Sequence, residues 1–341
     1  MLGTRLTLAI EGGLPLPEAG RIAVFAPRAG ADLSALPKDR VEVVTGFRPD
    51  HVAFERQGYA VKTAAEGPYA AALVCLTRAK AEARDLIARA CAVSEGPVIV
   101  DGQKDEGVDS MLKAARGLGQ VSVPLSKAHG KLFVIEGGDF SGWRAPSGQV
   151  VDGWQTAPGV FSADGVDPAS ALLAAALPPL SGHGADLGAG WGYLSAEALK
   201  ASPKIAALAL VEADHAALDC ARFNVTDPRA SFDWADATTW KPARMLDFVL
   251  MNPPFHQSRN ADPELGRAFI RAAAGAMTPR GVLYMVANAH LGYEAVLAEN
   301  FGEVERIGGD RSFKLFRAER PSRQRTPAGL GSGKGRQRGQ A

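Results

Sequence analysis

The sequence predicts an α/β protein made of two tandem domains, each with a mostly parallel central sheet. The chain has 341 residues, of which 46% are apolar and 22% charged, so it can bury two cores of ordinary domain size. Short apolar runs alternate with helical stretches in both halves, which indicates strands connected by helices. A glycine-rich stretch from Gly137 to Gly159 separates the two series, and we interpret it as the connection between the domains.

The first predicted domain, residues 1–140, alternates strands with helices. Its strands are short runs rich in Val, Ile, Leu and Phe: RIAVFA, VEVVTGF, AALVCL, PVIVDG and KLFVIEG. Its helices are TRAKAEARDLIARACAV and VDSMLKAARGL. Strands joined by helical crossovers pair in parallel, so these elements predict a largely parallel sheet. Residues 141–160 follow as the predicted connection.

The second predicted domain, residues 161–319, repeats this alternation. Its strands are GADLGAG, IAALALVEA, ASFDWAD, MLDFVLMN and GVLYMVAN, followed by a hairpin-like VERIGG and SFKLFRA. Its helices are YLSAEALKAS, HAALDCARFNV and LGRAFIRAAAGAM. The similar length and order of the two series suggest a duplicated architecture, although no residue-level repeat connects them.

The last predicted unit is a disordered basic tail, residues 320–341. It contains six basic residues and no acidic one, whereas the whole chain has 38 Lys+Arg against 37 Asp+Glu. Its Gly, Ser, Gln and Pro leave too little apolar area for independent folding. We expect this tail to attract nucleic-acid phosphates through its charge without reading bases. A solvated extension without a role is the alternative.

Other features of the composition exclude several classes of protein. The most apolar stretch, residues 169–180, is too short to span a bilayer, and the first residues do not resemble a secretory signal, so we expect a cytoplasmic protein with no membrane partner. Cys75, Cys91 and Cys220 are widely spaced in Ala- and Leu-rich contexts, which favours buried thiols over disulfides. The six histidines form no pair at helical spacing, so we expect no metal.

A glycine turn in the second domain predicts a nucleoside site. In ADLGAGWGYLS an apolar strand ends near Asp186, and glycines at alternate positions allow a tight turn into a helix whose backbone N–H groups can approach a ligand. The spacing GxGxG differs from the GxGxxG dinucleotide fingerprint, which disfavours NAD. Glu212 ends the next strand, where it can accept hydrogen bonds from both hydroxyls of a ribose, and Asp236 is placed to accept one from an adenine amine.

The segment LDFVLMNPPFH carries the most specific signal. It delivers Asn252, Pro253, Pro254 and Phe255 to the carboxyl end of a strand, the edge where open α/β sheets bind ligands. The Asn252 amide oxygen and the Pro253 carbonyl can accept hydrogen bonds from a planar amine, while the prolines fix the backbone. Phe255 can stack on an extruded base. The alternative is that two prolines simply end a strand.

The motifs together resemble a known family. ADLGAGWG, Glu212, Asp236 and NPPFH resemble the motifs of S-adenosylmethionine-dependent methyltransferases acting on planar amines. The bacterial rRNA guanine-N2 methyltransferases of the RsmC and RlmG type have segments similar to four in this chain, which are PGVFSADGVDPASALL, VANAHLGY, FG and FKLFRA. The resemblance covers residues 158–318 and is looser in the first half, where the family has a non-catalytic domain. Trp191 and the basic tail depart from the family pattern.

The resemblance implies two Rossmann-like, class I methyltransferase-like domains, the first without cofactor. It also implies the reaction, which is methyl transfer from S-adenosylmethionine to the exocyclic N2 amine of a guanine in rRNA, most simply 16S, with rRNA or the small ribosomal subunit as partner. The sequence does not determine the oligomeric state, and a monomer is the simplest expectation. Asn252, Pro253, Pro254 and Phe255 are the implied catalytic residues. The implied cofactor-binding residues are Asp186, Gly188, Ala189, Gly190, Glu212, Ala213, Asp236, Ala237 and Asn252.

Some interpretations stay open at this point. His256 and Phe161 are candidates for substrate contact, although a lone histidine is more often structural and Phe161 can belong to a segment that only caps the next helix. A methyltransferase for a protein glutamine amide is a second possible function. A non-enzymatic RNA-binding or ribosome-assembly protein that has kept the fold is a third.

Overall fold

A computed structural model of the chain describes residues 2–146, 148–254 and 263–322. Within these ranges the chain forms two large mixed sheets and, between them in sequence, a two-stranded hairpin. The predicted α/β class with two mostly parallel sheets is confirmed. The exact domain boundaries stay a prediction.

The first sheet contains the strands of the first half. They are β1 (Ile22–Phe25), β2 (Val41–Val44), β3 (Ala60–Lys62), β4 (Ala71–Cys75), β5 (Val98–Gln103), β6 (Gly119–Val121), β7 (Leu125–Lys127) and β8 (Gly130–Gly138). The helices of this half are α1 (Leu2–Glu11), α2 (Arg48–Arg56), α3 (Lys80–Val93) and α4 (Val108–Ala115). The strand order is β3-β2-β1-β4-β5-β8-β6, with β7 also paired to β8.

The second sheet follows the hairpin of β9 (Gln149–Val151) and β10 (Trp154–Thr156). Its strands are β11 (Ser181–Leu187), β12 (Lys204–Glu212), β13 (Ala230–Trp234), β14 (Leu246–Met251), β15 (Met277–Asn288), β16 (Phe301–Gly309) and β17 (Phe313–Pro321). The helices are α5 (Pro168–Ala176), α6 (Tyr193–Ala201), α7 (His215–Asn224), α8 (Pro263–Ala276) and α9 (Glu294–Asn300). The strand order is β13-β12-β11-β14-β15-β17-β16.

The two sheets share one topology. In each, the first five strands are parallel, and the order reverses between the first strand and the fourth. Antiparallel pairing completes each sheet, through β6, β7 and β8 in the first and through β16 and β17 in the second. Open α/β sheets bind ligands at the carboxyl edge beside such a reversal. In the second sheet this point lies between β11 and β14, the strands that carry the glycine turn and Asn252.

Both faces of each sheet are buried, which explains the continuous apolar runs in the sequence. Along β1, Ala23 and Phe25 belong to one hydrophobic cluster, whereas Ile22 and Val24 belong to another. The three cysteines are reduced, with Cys220 buried and the other two partly buried.

Helix α1 was not among the predicted elements. It packs on the first sheet through Arg5, which is fully buried and donates two hydrogen bonds to the Asp101 carboxylate at 2.6 and 2.7 Å. A third hydrogen bond, at 3.0 Å, goes to the carbonyl of Lys127. The sequence gives little indication that a basic residue such as Arg5 will be buried, so this helix was not predicted.

The two halves contact each other close to the end of β12. The backbone N–H of Arg48 donates to the carbonyl of Ala213 at 2.8 Å, and that of His215 donates to the carbonyl of Gly46 at 2.9 Å. The guanidinium of Arg48 lies 4.7 Å from the ring centroid of Trp234. The first half therefore supports the loop that carries two predicted cofactor residues.

The end of the second sheet differs slightly from the predicted start of the tail. Strand β17 continues to Pro321, and the N–H of Ser322 donates to the carbonyl of Asn300, so the first residues of the predicted tail belong to the sheet. Residues 323–341 lie outside the described residues. None of the described helices is long and apolar enough to cross a membrane. Among the described residues there is also no cluster of His, Cys, Asp and Glu suited to a metal.

Candidate active site

The glycine turn follows β11 as predicted and leads into α6. All three of its glycines are in the left-handed region, with φ of +76° at Gly188, +55° at Gly190 and +92° at Gly192. Gly192 is the residue before α6, and a Cβ there would lie 2.8 Å from a methyl group of Val225. A Cβ on Gly190 would meet no atom within 4 Å, so the turn leaves open space beside Gly190. Glycine is therefore favoured at Gly190 by the backbone conformation, and at Gly192 also by the close packing against Val225.

Glu212, at the end of β12, ties the glycine turn to the neighbouring loop. One carboxylate oxygen accepts a hydrogen bond from the N–H of Gly190 at 2.8 Å, and the other accepts one from the N–H of Asp214 at 2.8 Å. Burial raises the pKa of Glu212, and these backbone donors oppose the rise. Each carboxylate oxygen has a second lone pair, so Glu212 can still accept hydrogen bonds from a ligand.

Asp186 lies beneath the turn and is 1% exposed. Its carboxylate accepts a hydrogen bond of 2.7 Å from the Ser195 hydroxyl. Burial raises the pKa of Asp186 to about 7, against the lowering effect of the Ser195 hydrogen bond, and the negative charge of Glu212 adds to the rise. When this buried carboxyl is ionised, its negative charge can stabilise a cationic group of a ligand nearby.

The third predicted strand end, after β13, lies next to Glu212. The N–H of Ala235 donates to the carbonyl of Glu212 at 2.9 Å, which holds the two strand ends together. Asp236 accepts hydrogen bonds from the N–H and the hydroxyl of Thr238, at 2.9 and 2.6 Å, so one of its oxygens shapes the loop. Ala237 is buried. The contact between Asp236 and an adenine amine therefore stays a prediction.

Asn252 follows β14, as predicted, and the neighbouring α5 segment fixes its side chain. Its Nδ2 donates hydrogen bonds of 2.9 Å to a carboxylate oxygen of Asp167 and of 2.9 Å to the hydroxyl of Ser170. Both amide protons are therefore used within the protein, and Oδ1 is the atom left to act on a substrate as an acceptor. Pro253 is buried and Pro254 exposed. The predicted contacts of Phe255 and His256 lie outside the described residues.

Phe161 lies in a loop beside the glycine turn and is 54% exposed. The indole N–H of Trp191 donates to the carbonyl of Phe161 at 3.0 Å. Trp191 is buried against Trp154 and Tyr193, with ring centroids 5.4 and 5.9 Å away. The large residue in the glycine turn therefore anchors both the Phe161 loop and the hairpin of β9 and β10.

A cavity opens between the turn, the Phe161 loop and Asn252. The predicted site residues that line it are Asp186, Gly188, Ala189, Gly190, Asn252 and Phe161. The other predicted cofactor residues, which lie beside it at the ends of β12 and β13, are Glu212, Ala213, Asp236 and Ala237. The cavity also contains Asp167 and Ser170, which were not among the predicted site residues.

The second half of the chain is similar to known proteins. Residues 153–317 match the family model of the methyltransferase small domain. The ribosomal RNA small subunit methyltransferase C of Erwinia tasmaniensis is 34% identical over 166 residues, which are 48% of each chain. The protein of the same name from Cronobacter sakazakii is 31% identical over 233 residues, 65% of this chain and 66% of the relative. The chain thus spans about half the length of some of these relatives.

A solved structure has the same two-domain fold. It is the 16S rRNA N2 G1207 methyltransferase (RsmC) of T. thermophilus in complex with AdoMet and guanosine. Its TM-score to this chain is 0.74 at 23% identity, covering 94% of this chain and 91% of the other. Residues 153–317 therefore match the methyltransferase small domain model, the chain is similar to proteins named ribosomal RNA small subunit methyltransferase C, and it shares the fold of the T. thermophilus structure.

Proposed function

We propose that this protein transfers a methyl group from S-adenosylmethionine to the exocyclic N2 amine of a guanine in 16S ribosomal RNA. The observation that carries the proposal is the orientation of Asn252, whose amide N–H groups are both held by Asp167 and Ser170 at the edge of the cavity. An amide oxygen held in this way suits a substrate that offers N–H groups. The names of the relatives supply the rRNA and the guanine. Such an activity implies that the protein works in the cytoplasm.

The residues around the cavity fit S-adenosylmethionine. Glu212 offers carboxylate lone pairs for ribose hydroxyls, and the open space beside Gly190 lets a ligand approach the backbone. Asp186 offers a buried carboxyl for the positive charge of the methionine end. When bound, the cofactor supplies an electrophilic methyl group. The protein's part is to hold both reactants, since positioning within about 3–3.5 Å provides much of the rate enhancement of such transfers.

At the guanine, Asn252 has a defined chemical task. The lone pair of an aryl amine is delocalised into the ring, so the nitrogen must become pyramidal before it can attack. The Asn252 Oδ1 and the Pro253 carbonyl accept its N–H bonds and favour that change, because both acceptors are oriented before the substrate arrives. A nitrogen–carbon bond forms as the sulfur–carbon bond breaks, and the sulfur retains the electron pair. The amine then loses one proton to solvent.

We expect the affinity for S-adenosylmethionine to depend on the ionisation of Asp186. A cation bound near this carboxyl favours its charged form, so binding lowers a pKa that is about 7 in the free protein. Affinity should therefore rise as pH increases from about 6 to about 7.5, by at most about tenfold per pH unit. Calorimetry of the full chain at several pH values, in buffers of different ionisation enthalpy, measures both the affinity and the proton released.

The matched control is Asp186→Asn, which keeps the shape of the side chain and cannot ionise. Its affinity should be lower at the high end of this range and should not change through pH 7. An unchanged pH dependence in Asp186→Asn would show that another group is responsible for the effect.

The class of substrate is tested by methyl transfer from radiolabelled S-adenosylmethionine. Purified small subunits, naked 16S rRNA and a folded protein acceptor that carries an exposed glutamine are compared at equal concentration. We expect label in the RNA of one or both ribosomal samples and none in the protein acceptor. Label in the protein alone would contradict the proposed function in favour of a glutamine methyltransferase. Cofactor binding without transfer to any acceptor would favour a non-enzymatic role.

A further inference from the structure

We infer that Asp167 and Ser170 are positioning residues that hold the Asn252 amide with its Oδ1 toward the reacting amine. The inference rests on the proposed function, because it assigns these residues a role in the same reaction. Nδ2 of Asn252 donates 2.9 Å hydrogen bonds to both side chains. The two residues lie on α5 and its preceding loop, more than eighty positions from Asn252 in sequence.

The charge of Asp167 decides which way the amide faces. An ionised carboxylate can only accept hydrogen bonds, so it binds the NH2 end of an amide and repels the oxygen end. Ser170 alone does not discriminate, because a hydroxyl can donate or accept. A rotation of the Asn252 amide by a half-turn would place Oδ1 against Asp167 and remove the acceptor from the cavity. Asp167 is therefore the residue that gives the amide one orientation.

The hydrogen bond also affects the strength of the acceptor. A negative charge next to the N–H groups of an amide polarises the amide and increases the negative charge on its oxygen. Hydrogen bonds that share a group strengthen one another in this way where little water screens them. Oδ1 of Asn252 thus becomes a better acceptor for an amine that gains positive charge during attack. The benefit is greatest in the transition state, so it should appear in kcat rather than in cofactor affinity.

Asp167 is itself held rigidly by the helix that follows. The same carboxylate oxygen that binds Asn252 accepts a hydrogen bond of 2.8 Å from the N–H of Ser170, so Asp167 is the N-cap of α5. Pro168 begins the helix, and Leu173 fixes it in the hydrophobic core with 0% exposure. The position of the carboxylate therefore follows from the cap of a packed helix.

The informative variant is Asp167→Ser in the full chain. Serine is a good N-cap, so α5 keeps its first turn, but the short hydroxyl cannot supply a charged acceptor to Asn252. We expect kcat for methylation of RNA to fall by about tenfold or more, and the affinity for S-adenosylhomocysteine, measured by calorimetry, to change by less than about threefold. The matched control is Asp310→Ser. Asp310 accepts two backbone hydrogen bonds in the turn between β16 and β17, and its loss should leave kcat unchanged.

A double-mutant cycle separates positioning from a structural role. If Asp167 acts through Asn252, adding Asp167→Ser to Asn252→Ala should cause no further loss of kcat. Conversely, Asp167→Asn, which keeps the cap and an acceptor oxygen, should recover part of the activity lost in Asp167→Ser.

The outcomes distinguish this inference from the proposed function. A loss of kcat in Asn252→Ala together with parental kcat in Asp167→Ser would overturn the inference and leave the function intact. Additive losses in the double variant, or a parallel loss of S-adenosylhomocysteine affinity in Asp167→Ser, would also overturn it, because Asp167 would then act independently of Asn252. A wild-type chain that methylates no RNA would instead contradict the proposed function.

Discussion

Replacement of Asn252 by alanine should remove nearly all methyl transfer while leaving cofactor binding intact. Asn252 donates both of its amide protons to Asp167 and Ser170, so its Oδ1 is held at the cavity before substrate binds. Loss of one preorganised group of this kind costs about 2.7–4 kcal/mol in the transition state, or about 10²–10³ in kcat, by analogy with oxyanion-hole donors. The measurement is single-turnover methylation of RNA at saturating cofactor.

The control for this substitution is Asn300→Ala. Asn300 is a buried asparagine that donates to the carbonyl of Val296 within α9, on a helix that carries none of the site residues. Its loss should lower stability without a comparable change in kcat. An Asn252→Ala protein that keeps at least about half of the parental kcat would be incompatible with the role assigned to the amide.

The second large effect is expected for Glu212→Ala, which should weaken cofactor binding by about 100-fold or more. Hydrogen bonds from two ribose hydroxyls to a charged acceptor contribute about 1.5–3 kcal/mol each. The same substitution also removes acceptors from the N–H groups of Gly190 and Asp214, so the turn itself loses support. Calorimetry with S-adenosylhomocysteine measures the total effect.

A deoxy analogue separates the two contributions of Glu212. S-adenosylhomocysteine lacking the ribose 2′-hydroxyl should bind the wild-type protein more weakly than the natural compound does. The Glu212→Ala protein should bind both compounds about equally, because the acceptor for that hydroxyl is gone. If the deoxy analogue loses as much affinity in the variant as in the wild type, Glu212 supports the turn and does not touch the ribose.

The sequence predicted the elements that bring the site together, because each depends on local patterns. The glycine turn was predicted from the spacing of Gly188, Gly190 and Gly192, and all three have the positive φ that glycine adopts without a steric penalty. Glu212 and Asn252 were placed at strand ends by the apolar runs that precede them. In a parallel sheet, such ends meet at one edge.

The features that the sequence did not predict depend on contacts between distant residues. Asp167 was not among the predicted site residues, because nothing local in the sequence indicates its hydrogen bond to Asn252. Helix α1 was missed because its burial depends on the pairing of Arg5 with Asp101 across the first domain. The contact between Arg48 and Trp234 was missed for the same reason. Patterns at helical or strand spacing carry no information about such pairs.

The central claim is that this chain methylates the N2 amine of guanine in 16S rRNA, and it is tested most directly by identifying the product. Small subunits or 16S rRNA from a strain lacking this protein are incubated with the full chain and S-adenosylmethionine, digested to nucleosides and analysed by mass spectrometry against standards. We expect N2-methylguanosine in the reaction with the wild-type chain and none in the reaction with the Asn252→Ala protein. A methyl group on another base, on another atom of guanine or on ribose would contradict the claim.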